Sequence, residues 1–267
     1  MPLLKPASRH SAPVSRNDVS APPEPASFRR RGLGVAAAIL RAALLQLAAF
    51  GLVLGAVAAL GRLPSLPSGL LPFPSLSGSE RAALALTVLP HAALALLVLV
   101  AARARPWKAS GAGKALGFTR PALPRRAVLL ALAWPPLQVA WTAALLLLAG
   151  HAPIRAWRLS PSLTGEVFLA WTLWLVVLAP LAEEMLFRGD LFGRLRRIAS
   201  PSAAVAIATA VFVLCHAERG LLQPVSVLPL GVVLGVLRLW TGSLWPCIAL
   251  HAASNGAVVL ARVWSTG

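Results

Sequence analysis

An all-α, polytopic transmembrane bundle of about seven spans is the fold class this sequence predicts. Three observations lead there. The 267-residue chain is 58% hydrophobic and only 12% charged, with a mean hydropathy of +0.76, too apolar for an ordinary soluble domain. Its apolar residues fall into runs close to the roughly 20 residues a spanning helix needs. Its basic residues gather between those runs. Trp107, Trp157, Trp240, Trp245 and Trp264 lie near run ends, where indoles sit at headgroup level.

The elements follow in order. Residues 1–32, rich in Pro, Ser and Arg without an apolar period, predict a disordered cytoplasmic tail. The first apolar run extends to Leu60, longer than the 7–15 residues of a signal-peptide core, so it is a retained span. Spans are predicted at 33–60, 82–102, 127–149, 166–187, 201–218, 224–240 and 244–263. Pro64, Pro67, Pro72 and Pro74 make 62–81 an irregular connector. The domain reading is a tail (1–32), scaffold helices (33–150) and a catalytic membrane core (151–267).

Loop charge sets orientation. Segment 103–126 carries seven Lys or Arg and 188–200 carries four, against two each in 62–81 and 150–165. That alternation predicts a cytoplasmic N-terminus and, with seven spans, an external C-terminus. It also accounts for the net charge of +17, so the expected partners are the lipid bilayer and a membrane-protein or peptide substrate, with no nucleic acid. Only three basic residues are Lys. That Arg-rich, Ala-rich composition fits a high-GC bacterium and hence an inner (cytoplasmic) membrane location. Cys215 and Cys247 lie in apolar segments and are read as packing residues rather than a disulfide or thiol nucleophile.

Function is concentrated in three polar clusters. The chain has eight acids, four of them (Glu183, Glu184, Asp190, Glu218) within 36 positions. A carboxylate in a membrane segment is a functional candidate with a partner to be named. Glu184 and Arg188 are i,i+4 and can pair. Neighbouring residues point about 100° apart on a helix, so Glu183 faces elsewhere, and Pro180 permits a local kink. The second cluster ends at His216, the third joins His251 and Asn255 at i,i+4. Glu183 lies 17 residues before Ser200 and His216 lies 16 after it. In an antiparallel hairpin both stand roughly 25 Å from the turn, at one depth.

A carboxylate held away from water can act as a general base. Glu183 and His216 are predicted to activate water, His251 and Asn255 to stabilise the oxyanion, and Glu184 with Arg188 to support them. A metal such as zinc, held by Glu183, His216 and His251, is the alternative; the spacing is not that of the usual zinc-protease helix. His10, His91 and His151 are given no role. Glu80, Glu166 and Asp190 are placed at interfaces, and Arg41 has no evident acidic partner.

These residues resemble the CAAX-protease and bacteriocin-processing intramembrane endopeptidases (CPBP, also called Abi). The family pattern Glu-Glu-x-x-x-Arg, Phe-x-x-x-His and His-x-x-x-Asn is matched at Glu183, Glu184 and Arg188, at Phe212 and His216, and at His251 and Asn255. The lead-in Gly242-Ser243-Leu244-Trp245-Pro246 is also similar, and the likeness covers roughly 166–260. It implies a helical membrane core that hydrolyses a peptide bond, by a metal-dependent or a glutamate-based route. For bacterial members it implies a bacteriocin-like peptide or, as in myxosortases, a C-terminal sorting and anchor signal as substrate. Two other classes compete. A non-catalytic immunity or scaffold protein would keep the polar cluster for packing. A transporter using Glu183 as a proton site should show inverted repeats, and none is found.

Overall fold

Eight helices make up the structure, a computed structural model that describes residues 25–60, 78–104, 111–151, 165–217 and 220–264; no strand occurs among them. They are α1 (Pro25–Leu60), α2 (Gly78–Arg103), the short α3 (Gly111–Leu116) and α4 (Arg125–Leu148). A long α5 (Gly165–Leu195) follows, then α6 (Pro201–Leu214), α7 (Leu222–Thr241) and α8 (Trp245–Trp264). Six of these are long and apolar enough to cross a membrane, and the chain is a polytopic helical bundle. Large apolar side chains on their outer faces, such as Leu44, Leu47, Leu132, Leu148 and Leu260, are exposed, as expected of surfaces that face lipid rather than water.

Three expectations change. Helix α1 begins at Pro25, so 25–32 is helical rather than part of a disordered tail; the tail's first 24 residues lie outside the described residues, as do most of the 62–81 and 150–165 connectors, Trp107 and Trp157. The fifth predicted span is only 14 residues long, about 21 Å at helical rise and short of a bilayer core of about 30 Å. An external C-terminus derived from seven full spans therefore loses its basis. The fourth span does not stop near Phe187 but runs to Leu195, which puts the acid pair, Arg188 and Asp190 in mid-helix.

The helix ends have local causes. Ser200 caps α6, its Oγ accepting Ala203 N–H at 3.3 Å, with Pro201 at the first helical position, where a missing N–H costs nothing. Helix α7 stops at Gly242, whose φ of +65° suits glycine at a left-handed cap. One apolar core joins α1, α2, α5 and α6, including Ala42, Val98, Leu186 and Phe212. A second joins α4, α7 and α8 through Trp134, Leu234, Leu237 and Leu250. The polar cluster lies where these two halves meet along α5.

Candidate active site

Helix α5 positions its acids by being irregular. It widens to π-helical turns at Trp174–Leu178 and Met185–Leu191, on either side of the α-helical Ala179–Glu184. Such turns recur at functional sites. The first has a traceable cost. Ala179 N–H bonds Trp174 O, which leaves Leu175 O without its usual partner, and residue 180, the next in line, is a proline with no N–H. Asn255 fills the gap: its Nδ2 donates to Leu175 O at 2.8 Å. One amide proton of Asn255 is thus engaged in holding α8 to α5, and the second is not committed by that bond.

Glu184 is held through one of its oxygens, while its Oε2 is buried without a partner. It is fully buried, and its Oε1 accepts from Arg188 Nη1 at 2.9 Å and from His251 Nδ1 at 3.0 Å. Arg188, also fully buried, donates from Nη2 to Gly231 O at 3.0 Å and lies 4.5 Å over the Phe212 ring. Gly231 makes this possible. A Cβ there would come within 3.0 Å of Thr209 and 3.2 Å of Phe212, pushing α7 away from the guanidinium. The Phe212 ring is the common platform: His216 packs on it at a 55° tilt, centroids 4.6 Å apart, and His251 meets it edge-on at 5.9 Å.

Glu183 faces the other way, towards three imidazoles. His216 Nε2 is 3.9 Å from its Oε2, His251 Nε2 is 4.0 Å from the same atom, and His91 Nε2 is 3.5 Å from its Oε1. Glu183 Oε2 is buried and accepts no hydrogen bond from the protein. The level arithmetic thus holds in space for Glu183 and His216, although His216 lies on the turn just past α6 rather than within it.

Hydrogen bonds fix which atoms the rings present. His216 Nδ1 lies 2.8 Å from Phe212 O, a carbonyl that can only accept, so Nδ1 carries the proton. His251 Nδ1 likewise donates to Glu184. When neutral, both rings therefore turn a bare Nε2 towards Glu183 Oε2. Gaps of 3.9 and 4.0 Å are too long for direct hydrogen bonds. They are what two arms of about 2.8 Å subtend at about 90°, the span a bridging water makes.

The same gaps test the zinc alternative. With arms of about 2.0–2.1 Å, they would need angles of roughly 150° at the metal, far from tetrahedral. Among the described residues, no group of three or more His, Cys, Asp or Glu is arranged to hold a metal ion. As placed, Glu183, His216 and His251 do not fit such a site, and no step is derived through one.

Sequence reasoning missed His91. It sits on α2, far from the motifs in sequence, and Trp174 donates its Nε1–H to His91 Nδ1 at 3.1 Å. The available signal was the one used for Glu183: an ionisable residue inside a membrane segment. His91 and Trp174 also wall a cavity of about 390 Å³ lined by Gln46, Phe50, Leu86 and Cys215. Arg41 and Asp190, read as unpaired and interfacial, are partners. Asp190 is fully buried, and its Oδ2 lies 3.2 Å from Arg41 Nε and 3.1 Å from Arg194 Nε. That joins α1 to α5 one helical turn or more beyond the acid pair. Cys247 is buried with its Sγ on Leu234 O at 3.5 Å, whereas Cys215, expected to pack in the interior, is exposed.

Comparison with known families places this geometry. Residues 164–257 match the family described as type II CAAX prenyl endopeptidase Rce1-like. The chain carries a CAAX-protease domain of the CPBP kind. The match spans all three clusters, from α5 to α8, and supports an intramembrane protease acting on a peptide or protein substrate. It does not reach α1, α2 or α4, so His91 and most of the cavity lie outside it. No curated protein and no solved structure matches the chain.

Proposed function

We propose that the protein hydrolyses a peptide bond with water activated by Glu183. The observation that carries this is Glu183 Oε2, buried, free of protein hydrogen bonds and faced by two imidazole Nε2 atoms at 3.9 and 4.0 Å. A water held between Oε2 and His216 Nε2 loses a proton to Glu183 as its oxygen attacks the scissile carbonyl carbon. The carbonyl oxygen takes the charge, and the C–N bond then breaks as the proton passes from Glu183 to the departing nitrogen. His251, protonated at Nε2 with Glu184 beneath it, and the second amide proton of Asn255 donate to the oxyanion.

The substrate reading rests on the cavity beside Glu183. Its walls set apolar side chains such as Leu47, Phe50, Leu86 and Leu94 beside the polar Gln46, Thr87 and His91, which suits an apolar segment next to a peptide bond. A C-terminal sorting or anchor signal of an exported protein, as for myxosortases, is the favoured class; a bacteriocin-like peptide is the other. The loop charges support an N-terminus inside, and the Arg- and Ala-rich composition supports a bacterial inner membrane.

The test compares membrane-protein C-termini by mass spectrometry in cells carrying wild type or Glu183→Gln at equal abundance. Tails retained only in the variant support C-terminal processing and name the substrates. Identical termini overturn it.

A further inference from the structure

Glu183 has two carboxylate oxygens, and the reaction above uses one. The other, Oε1, faces His91 Nε2 at 3.5 Å. His91 is mostly buried, with a fifth of its side chain exposed, and stands edge-on to Trp174 with ring centroids 5.4 Å apart. Two groups approach its Nδ1: the Trp174 indole at 3.1 Å and the Thr87 carbonyl at 3.2 Å. They make opposite demands. The indole N–H can only donate and asks for a bare Nδ1, while the carbonyl can only accept and asks for a proton. Thr87 O lies within α2, which runs helical through Pro90, so its i+4 donor is the backbone N–H of His91 itself. Burying the indole N–H against a second N–H would leave a donor unsatisfied, the more expensive choice. His91 therefore keeps Nδ1 bare and carries its proton on Nε2, pointing at Glu183. His216 and His251 are protonated the other way round.

We propose that His91 is a positioning residue for Glu183: its Nε2–H hydrogen-bonds Oε1, and Trp174 fixes the tautomer that makes this possible. The carboxylate is then held from the α2 side through Oε1, so that Oε2 stays turned to His216 and His251. This inference rests on the hydrolase reading. It places part of the reacting apparatus on a helix that the family match does not reach. It also couples the base to the cavity, because His91 and Trp174 form one wall of it, so that a substrate segment lodged there touches the ring that orients Glu183.

The first test needs no substrate. Full-length protein labelled with ¹⁵N-histidine is placed in lipid nanodiscs at a pH where the rings are neutral. Nitrogen chemical shifts are then assigned by the signals lost in His91→Phe, His216→Phe and His251→Phe. The expected result is a protonated Nε2 on His91 and a protonated Nδ1 on the other two, with Trp174→Phe mixing the His91 tautomers only. A protonated Nδ1 on His91 overturns the proposal. The second test follows the rate of trimming of the termini identified with Glu183→Gln. His91→Phe, which keeps a ring without a donor, should slow it about 100-fold, the scale of a lost orienting contact. His91→Gln, whose amide can donate from a similar place, should return the rate to within about tenfold of wild type. A wild-type rate in His91→Phe, or no rescue by His91→Gln at equal protein level, overturns the role. If Glu183→Gln itself trims normally, the hydrolase reading fails and the role falls with it, a result the nitrogen shifts alone cannot produce.

Discussion

Helix α5 carries two acidic centres seven residues apart, Asp190 fully buried and Glu183 partly so, and they differ in the chemistry of their partners. Asp190 is held by the guanidinium groups of Arg41 and Arg194, which keep their charge at any working pH. Glu183 is faced by three imidazoles, rings that can both donate and accept a hydrogen bond. The guanidinium pairs are at 3.1–3.2 Å, while the contacts to Glu183 run from 3.5 to 4.0 Å. A carboxylate locked by permanent cations can only join helices. One set among titratable rings, with room between them, can pass a proton. Glu184 shows that adjacency in sequence does not decide the matter: one residue from Glu183, it belongs with Asp190, tied to a fully buried arginine.

That contrast can be broken in four places. Glu183→Gln should lower trimming by at least about 1,000-fold, roughly 4 kcal/mol of barrier, with a thermal midpoint within a few degrees of wild type. Loss of folded protein in its place would make Glu183 structural. Asp190→Ala should do the reverse. Removing the acid leaves two partly exposed arginines facing a buried gap, at a cost of about 2–3 kcal/mol after allowing for their exposure. Thermal unfolding in detergent should report it, while trimming per folded molecule stays within about threefold. Asn255→Ala should show both effects weakly: about 1–2 kcal/mol from the orphaned Leu175 carbonyl, and about a tenfold loss of rate. Strong chelators should change the rate less than twofold, because the three side chains at Glu183 do not frame a tetrahedral metal. Loss of activity restored by added zinc would overturn the water-based route.

Much of this was legible in the sequence. The six long spans follow from apolar runs, the Glu184–Arg188 pair from i,i+4 spacing, and the approach of Glu183 and His216 from equal distances to the Ser200–Pro201 turn. What could not be read depends on how helices pack. Arg41 meets Asp190 across 149 residues, and His91 meets Glu183 across 92; no local period encodes either. The 14-residue length of α6 was missed because no proline or glycine marks its end before Gly220. The extension of α5 to Leu195 was missed because its charges, taken as a span's end, pair along the helix, Arg188 with Glu184 and Arg194 with Asp190, with Arg41 of α1 joining the second pair.

The wide turn at Trp174–Leu178 has one more consequence. A π-turn is in effect one residue too many for its stretch of helix, and here it acts as a phase offset between the Trp174 end of α5 and the acid end. Deleting one residue between 175 and 178 would let an ordinary helix close. It would also turn Trp174 by about 100° relative to Glu183, separating the indole that orders His91 from the carboxylate that His91 serves, though every side chain in both clusters would still be present.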